Sequence, residues 1–162
     1  MNFLKYIFLS LILFTFTISS YASQSTGSTG NHEKDLAHIY GAILSIKHTV
    51  EICNDRFPNL APQNNDAYQD WSANYKPFLQ EIDKYISQLQ IKHADNNHEK
   101  YLKLRNKYES RLKQSLAHKM NKSGTDKFIR KCKAIPSFLA SKQANFEHSF
   151  AEKIPLIRSN MK

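Results

Sequence analysis

Between Leu36 and Phe57 the apolar side chains recur at steps of three and four. Leu36, Ile39, Ile43, Ile46, Val50, Cys53 and Phe57 make three unbroken heptads. That period belongs to a helix with one buried seam. Phe57-Pro58 ends it, because the residue before a proline is pushed out of helical geometry. A long helix that must bury its seam leaves an all-helical domain as the simplest fold, provided the following segments repeat the pattern.

They do. Asn64-Asn65-Asp66 supplies capping residues, after which Tyr68, Trp71, Tyr75, Phe78, Ile82, Tyr85 and Leu89 keep the same spacing. Pro77 falls inside this second helix and is expected to kink it, since the seam continues through. The polar turn His93–His98 precedes a third helix over about Asn97–Asn121. Its apolar arc is Tyr101, Leu104, Tyr108, Leu112 and Leu116, and Arg105 falls within that arc, where it must snorkel or find a carboxylate. After Ser123-Gly124-Thr125-Asp126, a fourth pattern runs through Phe128, Cys132, Ile135, Leu139, Phe146 and Phe150, with a kink or break expected at Pro136. Four amphipathic helices with short polar turns predict an up-down-up-down four-helix bundle over residues 32–153, followed by an aperiodic, fraying tail over 154–162.

The first 22 residues have a different character. Lys5, the apolar run Tyr6–Ile18 and the small-x-small ending Ser20-Tyr21-Ala22 read as a cleaved signal peptide, and the apolar run is short of the roughly 20 residues of a membrane span. The chain is therefore expected to be exported, to the periplasm or outside the cell. Residues 23–31, beginning SQSTGSTG, read as a flexible leader without a function of its own. In an oxidising compartment the two cysteines, Cys53 and Cys132, both on apolar seams, are expected to pair. Up-down topology brings the end of the first helix and the start of the fourth to one end of the bundle, with the two cysteines at similar depth. Closing so long a loop contributes about 4 kcal/mol in the chain-entropy model.

Formal net charge is +9, and it is unevenly spread. Residues 23–96 carry six Lys/Arg against nine Asp/Glu, a net of −3, whereas residues 97–162 carry sixteen against five, a net of +11. Such asymmetry implies an anionic partner or an electrostatic complement between the two halves. Lys100, Lys103, Lys107 and Arg111 project from successive turns of the third helix, and Lys127, Arg130, Lys131 and Lys133 crowd the start of the fourth. Several ammonium groups and guanidinium forks can together neutralise a phosphate or sulfate group. A solvated face is the plainer alternative. Export favours membrane lipid or phosphoinositide headgroups over nucleic acid, and acidic polysaccharide would satisfy the same residues. An acidic protein partner is the second reading, with the chain as a periplasmic inhibitor or immunity-type module.

Other constellations point less far. His93, Asp95 and His98, with His32, Glu33, Asp35 and His38 expected at the same end, could in principle offer imidazole and carboxylate to a metal, but their spacing matches no standard pattern, and no metal or cofactor is assigned. Tyr68, Trp71, Tyr75, Phe78 and Tyr85 could line a pocket with Trp71 as its wall, although their period places them in the core. Glu51 and Asp55, four apart, could act as a carboxylate pair, but ion pairing explains them more simply. No nucleophile elbow, H-E-x-x-H, phosphate-binding loop or dinucleotide turn is present, and no enzymatic activity is expected.

Cys53-Asn54-Asp55-Arg56-Phe57-Pro58, with Ala67, Trp71-Ser72-Ala73-Asn74 and the later Cys132, resembles small exported helical proteins of Gram-negative bacteria that carry a Cys-x-x-x-aromatic-Pro and Trp-x-x-Asn pattern. Most of that group is of unknown function. The resemblance implies a disulfide-tied helical domain in the periplasm or outside the cell, some members leaving by type II secretion and acting on host cells.

Overall fold

The computed structural model describes residues 27–161, among which every regular element is a helix. The signal peptide expected over residues 1–22 lies outside the described residues, as does the leader up to residue 26. Eight α-helices follow in order: α1 His32–Arg56, α2 Ala61–Asn74, α3 Lys76–His93, α4 His98–Lys122, α5 Thr125–Lys133, α6 Ile135–Leu139, α7 Phe146–Ser149 and α8 Ile154–Asn160. Short 3-10 turns at Pro58–Leu60 and Lys142–Ala144 complete the chain.

Helix α1 begins where Asn31 accepts a hydrogen bond from the Lys34 amide (3.0 Å), with Glu33 and Asp35 in the first turn to complement the positive end of the helix dipole. It ends at Phe57, whose backbone (φ −133°) leaves the helix before Pro58. Helices α2, α3, α4, α5 and α8 all pack against it. The expected seam is present: Leu36, Ile39, Ile46, Val50 and Cys53 are buried, and Ile43 and Phe57 are half-buried. A second line, Tyr40, Leu44, His48 and Ile52, is buried as well, so α1 has two packed faces where one was expected. The reason is its central place among the other helices.

Pro77 divides the second helix instead of kinking it. Helix α2 stops at Asn74, Tyr75 takes φ −104° and ψ 12°, and α3 starts at Lys76 with Pro77 in its first turn, where a missing amide costs nothing. Asn64 is not a cap: α2 begins at Ala61, and Asn64 lies inside it, buried, its side-chain amide donating to Asn54 Oδ1 (3.3 Å). The aromatic series does serve the core. Trp71 is buried against Phe146, edge to face at 5.7 Å, and its indole N–H donates to the Ala144 carbonyl (2.9 Å). This leaves Trp71 no free face for a pocket.

The fourth pattern divides further, into α5, α6 and α7, yet Phe128, Cys132, Ile135, Leu139, Phe146 and Phe150 are all buried. The segment expected to fray forms α8, with Ile154 and Ile157 in the core. Cys53 and Cys132 form a disulfide with Cα atoms 5.4 Å apart, joining the end of α1 to α5 across 79 residues of sequence. Replacing both cysteines by serine is expected to lower unfolding free energy by about 4 kcal/mol, read by urea titration. A loss below about 1 kcal/mol would show that packing alone sets this junction.

Candidate functional site

Helix α4 is positioned by its two ends and by one polar network. At its start Asp95 and Asn96 take left-handed conformations (φ 56° and 59°), which these residue types tolerate, and Asn97 accepts from the Lys100 amide (2.9 Å). At its end Gly124 (φ 82°) turns the chain into α5. Tyr101 and Met120 are buried along the inner side, with Leu112 and Leu116 half-buried.

Arg105 takes the place in that inner line that a leucine would ordinarily fill. Its guanidinium donates to Asp83 Oδ1 (2.7 Å), Glu109 Oε1 (3.0 Å) and the Tyr101 hydroxyl (2.8 Å). Tyr40 of α1 donates to the same Glu109 oxygen (2.9 Å). Burial pushes the Glu109 carboxyl up, but the Tyr40 and Arg105 bonds outweigh it and hold its pKa below the ordinary glutamate value. Arg105 thus finds its carboxylate in the acidic half, as well as one on its own helix.

Four further cations of the basic half pair with carboxylates of the acidic half: Lys100 with Asp95 (2.6 Å), Lys113 with Glu51 (2.9 Å), Arg158 with Glu81 (2.6 Å) and Lys153 with Asp35 (3.8 Å). A good part of the charge asymmetry is therefore an internal complement. Glu51, weighed above as half of a carboxylate pair with Asp55, is instead held by Lys113 and His48.

Apart from the exposed Lys100–Asp95 pair, what these contacts leave outside is the far face of α4. At 100° per residue Lys100, Lys103, Lys107 and Arg111 share an arc of about 80°, and all four are exposed. Lys103 pairs with Glu99 one turn earlier, an exposed contact of little energy. Among the described residues Lys107 and Arg111 have no carboxylate partner. Leu104 and Tyr108, expected in the core, border this arc and are 44% and 42% exposed. Arg105 and its partners hold the inward direction, which rotates Leu104 and Tyr108 to the rim. The Tyr108 ring stacks on Tyr40 (6.3 Å between centroids), and its hydroxyl comes within 3.0 Å of where a Cβ on Gly41 would stand. A shallow depression of about 360 Å³ at the start of this face is lined by Asn97, Glu99, Lys100, Lys103, Leu104 and Lys107.

The second basic group is separate. Lys127 and Arg130 are exposed on α5 and Lys131 is half-buried there. The α4–α5 turn lies about 22 Å beyond Lys107 at 1.5 Å per residue, and none of the α5 cations lines the depression beside Lys107. The larger depression, about 640 Å³ and open, sits at the α2–α3 junction among Ser72, Lys76, Leu79 and Asp83, without the aromatic wall the sequence suggested.

No group of side chains suited to a metal occurs among the described residues. His93 does approach Glu33 (3.7 Å), but Asp35 and His38 are engaged with the ammonium of Lys153. Lys153, 1% exposed, escaped the sequence reading because it stands outside every apolar period. Among the described residues no helix is long and apolar enough to cross a membrane. No family model, curated protein or solved structure matches the chain.

Arg105→Met should cost about 2 kcal/mol, because it strands Glu109 beside Tyr40 without its cation. Urea unfolding measures this, and a change below about 0.5 kcal/mol would mean that the network does not hold α4 in register.

Proposed function

We propose that the protein is an exported, non-enzymatic binding protein that recognises an anionic membrane surface, lipid or phosphoinositide headgroups, through the outward face of α4. One observation carries the reading: the cations Lys100, Lys103, Lys107 and Arg111 lie beside the exposed side chains of Leu104 and Tyr108 on a single helix face. Ammonium and guanidinium groups neutralise phosphates at the headgroup level, and a leucine and a tyrosine at their edge suit the boundary between headgroup and acyl chain. Lys127, Arg130 and Lys131 on α5 extend the positive surface for a second, weaker contact. In this reading α1, the α2–α3 pair, α4 and α5–α6 keep the frame of a four-helix bundle, with α7 and α8 closing it.

The alternative reading is a periplasmic module for an acidic protein partner. Tyr108 next to Arg111 favours it, since aromatic residues and arginine are the types enriched in protein interfaces.

Co-sedimentation of the oxidised protein with vesicles separates the two. Binding to phosphatidylserine or phosphoinositide vesicles, absent with neutral lipid and retained at physiological salt, is the expected result. The triple change K103E/K107E/R111E, all at exposed positions, is expected to reduce binding at least about tenfold with unchanged helicity. Binding that survives the charge reversal would assign α4 to a solvated face, and no vesicle binding at all would favour the protein partner.

A further inference from the structure

The two ends of the described chain meet at the first turns of α1. Ser28 donates from its hydroxyl to Asp35 Oδ2 (2.7 Å), and the Thr29 amide donates to both Asp35 oxygens (3.1 and 3.2 Å). Ser28 and Thr29, within the stretch expected to be a functionless leader, are thus tied down before α1 starts. From the other end comes Lys153, the residue before α8. Its Nζ lies 2.5 Å from His38 Nδ1, 3.8 Å from Asp35 Oδ1 and 5.6 Å over the Phe150 ring, whose edge also meets the His38 imidazole. Asp35 is fully buried and Lys153 nearly so.

The protons in this cluster follow from the atom types. An ammonium group only donates, so His38 Nδ1 at that distance must offer its lone pair. His38 is then neutral, with its proton on Nε2. Adding a proton at Nδ1 removes the acceptor and sets an imidazolium, on a half-buried ring, against an ammonium that is almost sealed from water. The charged groups facing His38 are Lys153 from the turn before α8 and Asp35 one turn earlier on α1. One carboxylate would then face two cations, and the cation able to leave is Lys153, at the hinge of a seven-residue helix.

We propose that Lys153, His38 and Asp35 form a proton-sensitive latch, closed while His38 is neutral and opened when it is protonated, releasing α8 from α1. Burial and the Lys153 charge lower the His38 pKa from its ordinary 6.5, with Asp35 opposing. Between the folded and unfolded values the folded state binds fewer protons, so the latch is secure above the unfolded value and weakens as the pH falls below it. The other ties of α8 do not titrate there: the Arg158 bond, with burial opposing, keeps the Glu81 carboxyl below its ordinary value, and it remains ionised through mild acid.

Amide hydrogen exchange by NMR on the oxidised protein tests the latch, because the Ile157 amide bonds to the Lys153 carbonyl (3.1 Å) and reports α8 directly. Its protection factor is expected to fall about tenfold or more from about pH 7.5 to about pH 5 while that of Val50 in α1 holds, and His38→Gln is expected to abolish the pH dependence. Imidazole nitrogen shifts at about pH 7.5 are expected to report the Nε2–H tautomer. An Nδ1–H tautomer, pH-independent protection of Ile157 in the unsubstituted protein, or the same acid loss in His38→Gln would each overturn the proposal. The first two readouts need no variant and stand if His38→Gln fails to fold.

Discussion

Every large element of this protein leans on α1, and the burial of that one helix on two faces sets the terms for the rest. A helix enclosed so widely cannot leave its polar side chains to water. Asp35 draws in the Ser28–Thr29 arm and Lys153, Tyr40 donates to Glu109, which Arg105 also holds, and Glu51 is shared by His48 and Lys113. The same enclosure places Cys53 where α5 can meet it, so the disulfide ties the end of the central helix to a segment 79 residues further along the chain. Unpaired, buried charges of this kind would each cost several kcal/mol, and their pairing therefore fixes which helix faces which.

The periodicities carried most of the core. The apolar positions at three-four spacing in α1, the α2–α3 segment and the segment after Gly124 are all buried or half-buried, and the cysteine pairing follows from two of them. The breaks were less legible because a seam can continue across them. The arc that contains Trp71 and Phe78 survives the division at Tyr75, so the pattern alone does not distinguish a bent helix from two helices. Leu104 and Tyr108 were misplaced for a different reason: apolar period assigns the inward direction by hydrophobicity, whereas here the Arg105 ion pairs assign it. Lys153 had no period to betray it, and its two partners on α1 are more than a hundred residues away in sequence.

Charge is the link between this packing and function. Five cations of the basic half are consumed by carboxylates of the acidic half, which makes the asymmetry partly a folding device. Of the others, Lys103, Lys107 and Arg111 on the outer face of α4 and Lys127 and Arg130 on α5 are exposed. That distribution, with Leu104 and Tyr108 at the edge of the α4 stripe, is the physical basis for reading α4 as a docking face. The helix is long, capped at its start, and held from behind, so its outer side chains are presented on a rigid support.

The most direct test is hydrogen–deuterium exchange of the oxidised protein, read by peptide, with and without phosphatidylserine vesicles. Slowed exchange is expected to be strongest over residues 97–111, at the start of α4, and weaker over α5, with α2 and α3 unchanged. Protection centred on the α2–α3 junction, or none on α4 in the presence of bound vesicles, would contradict it.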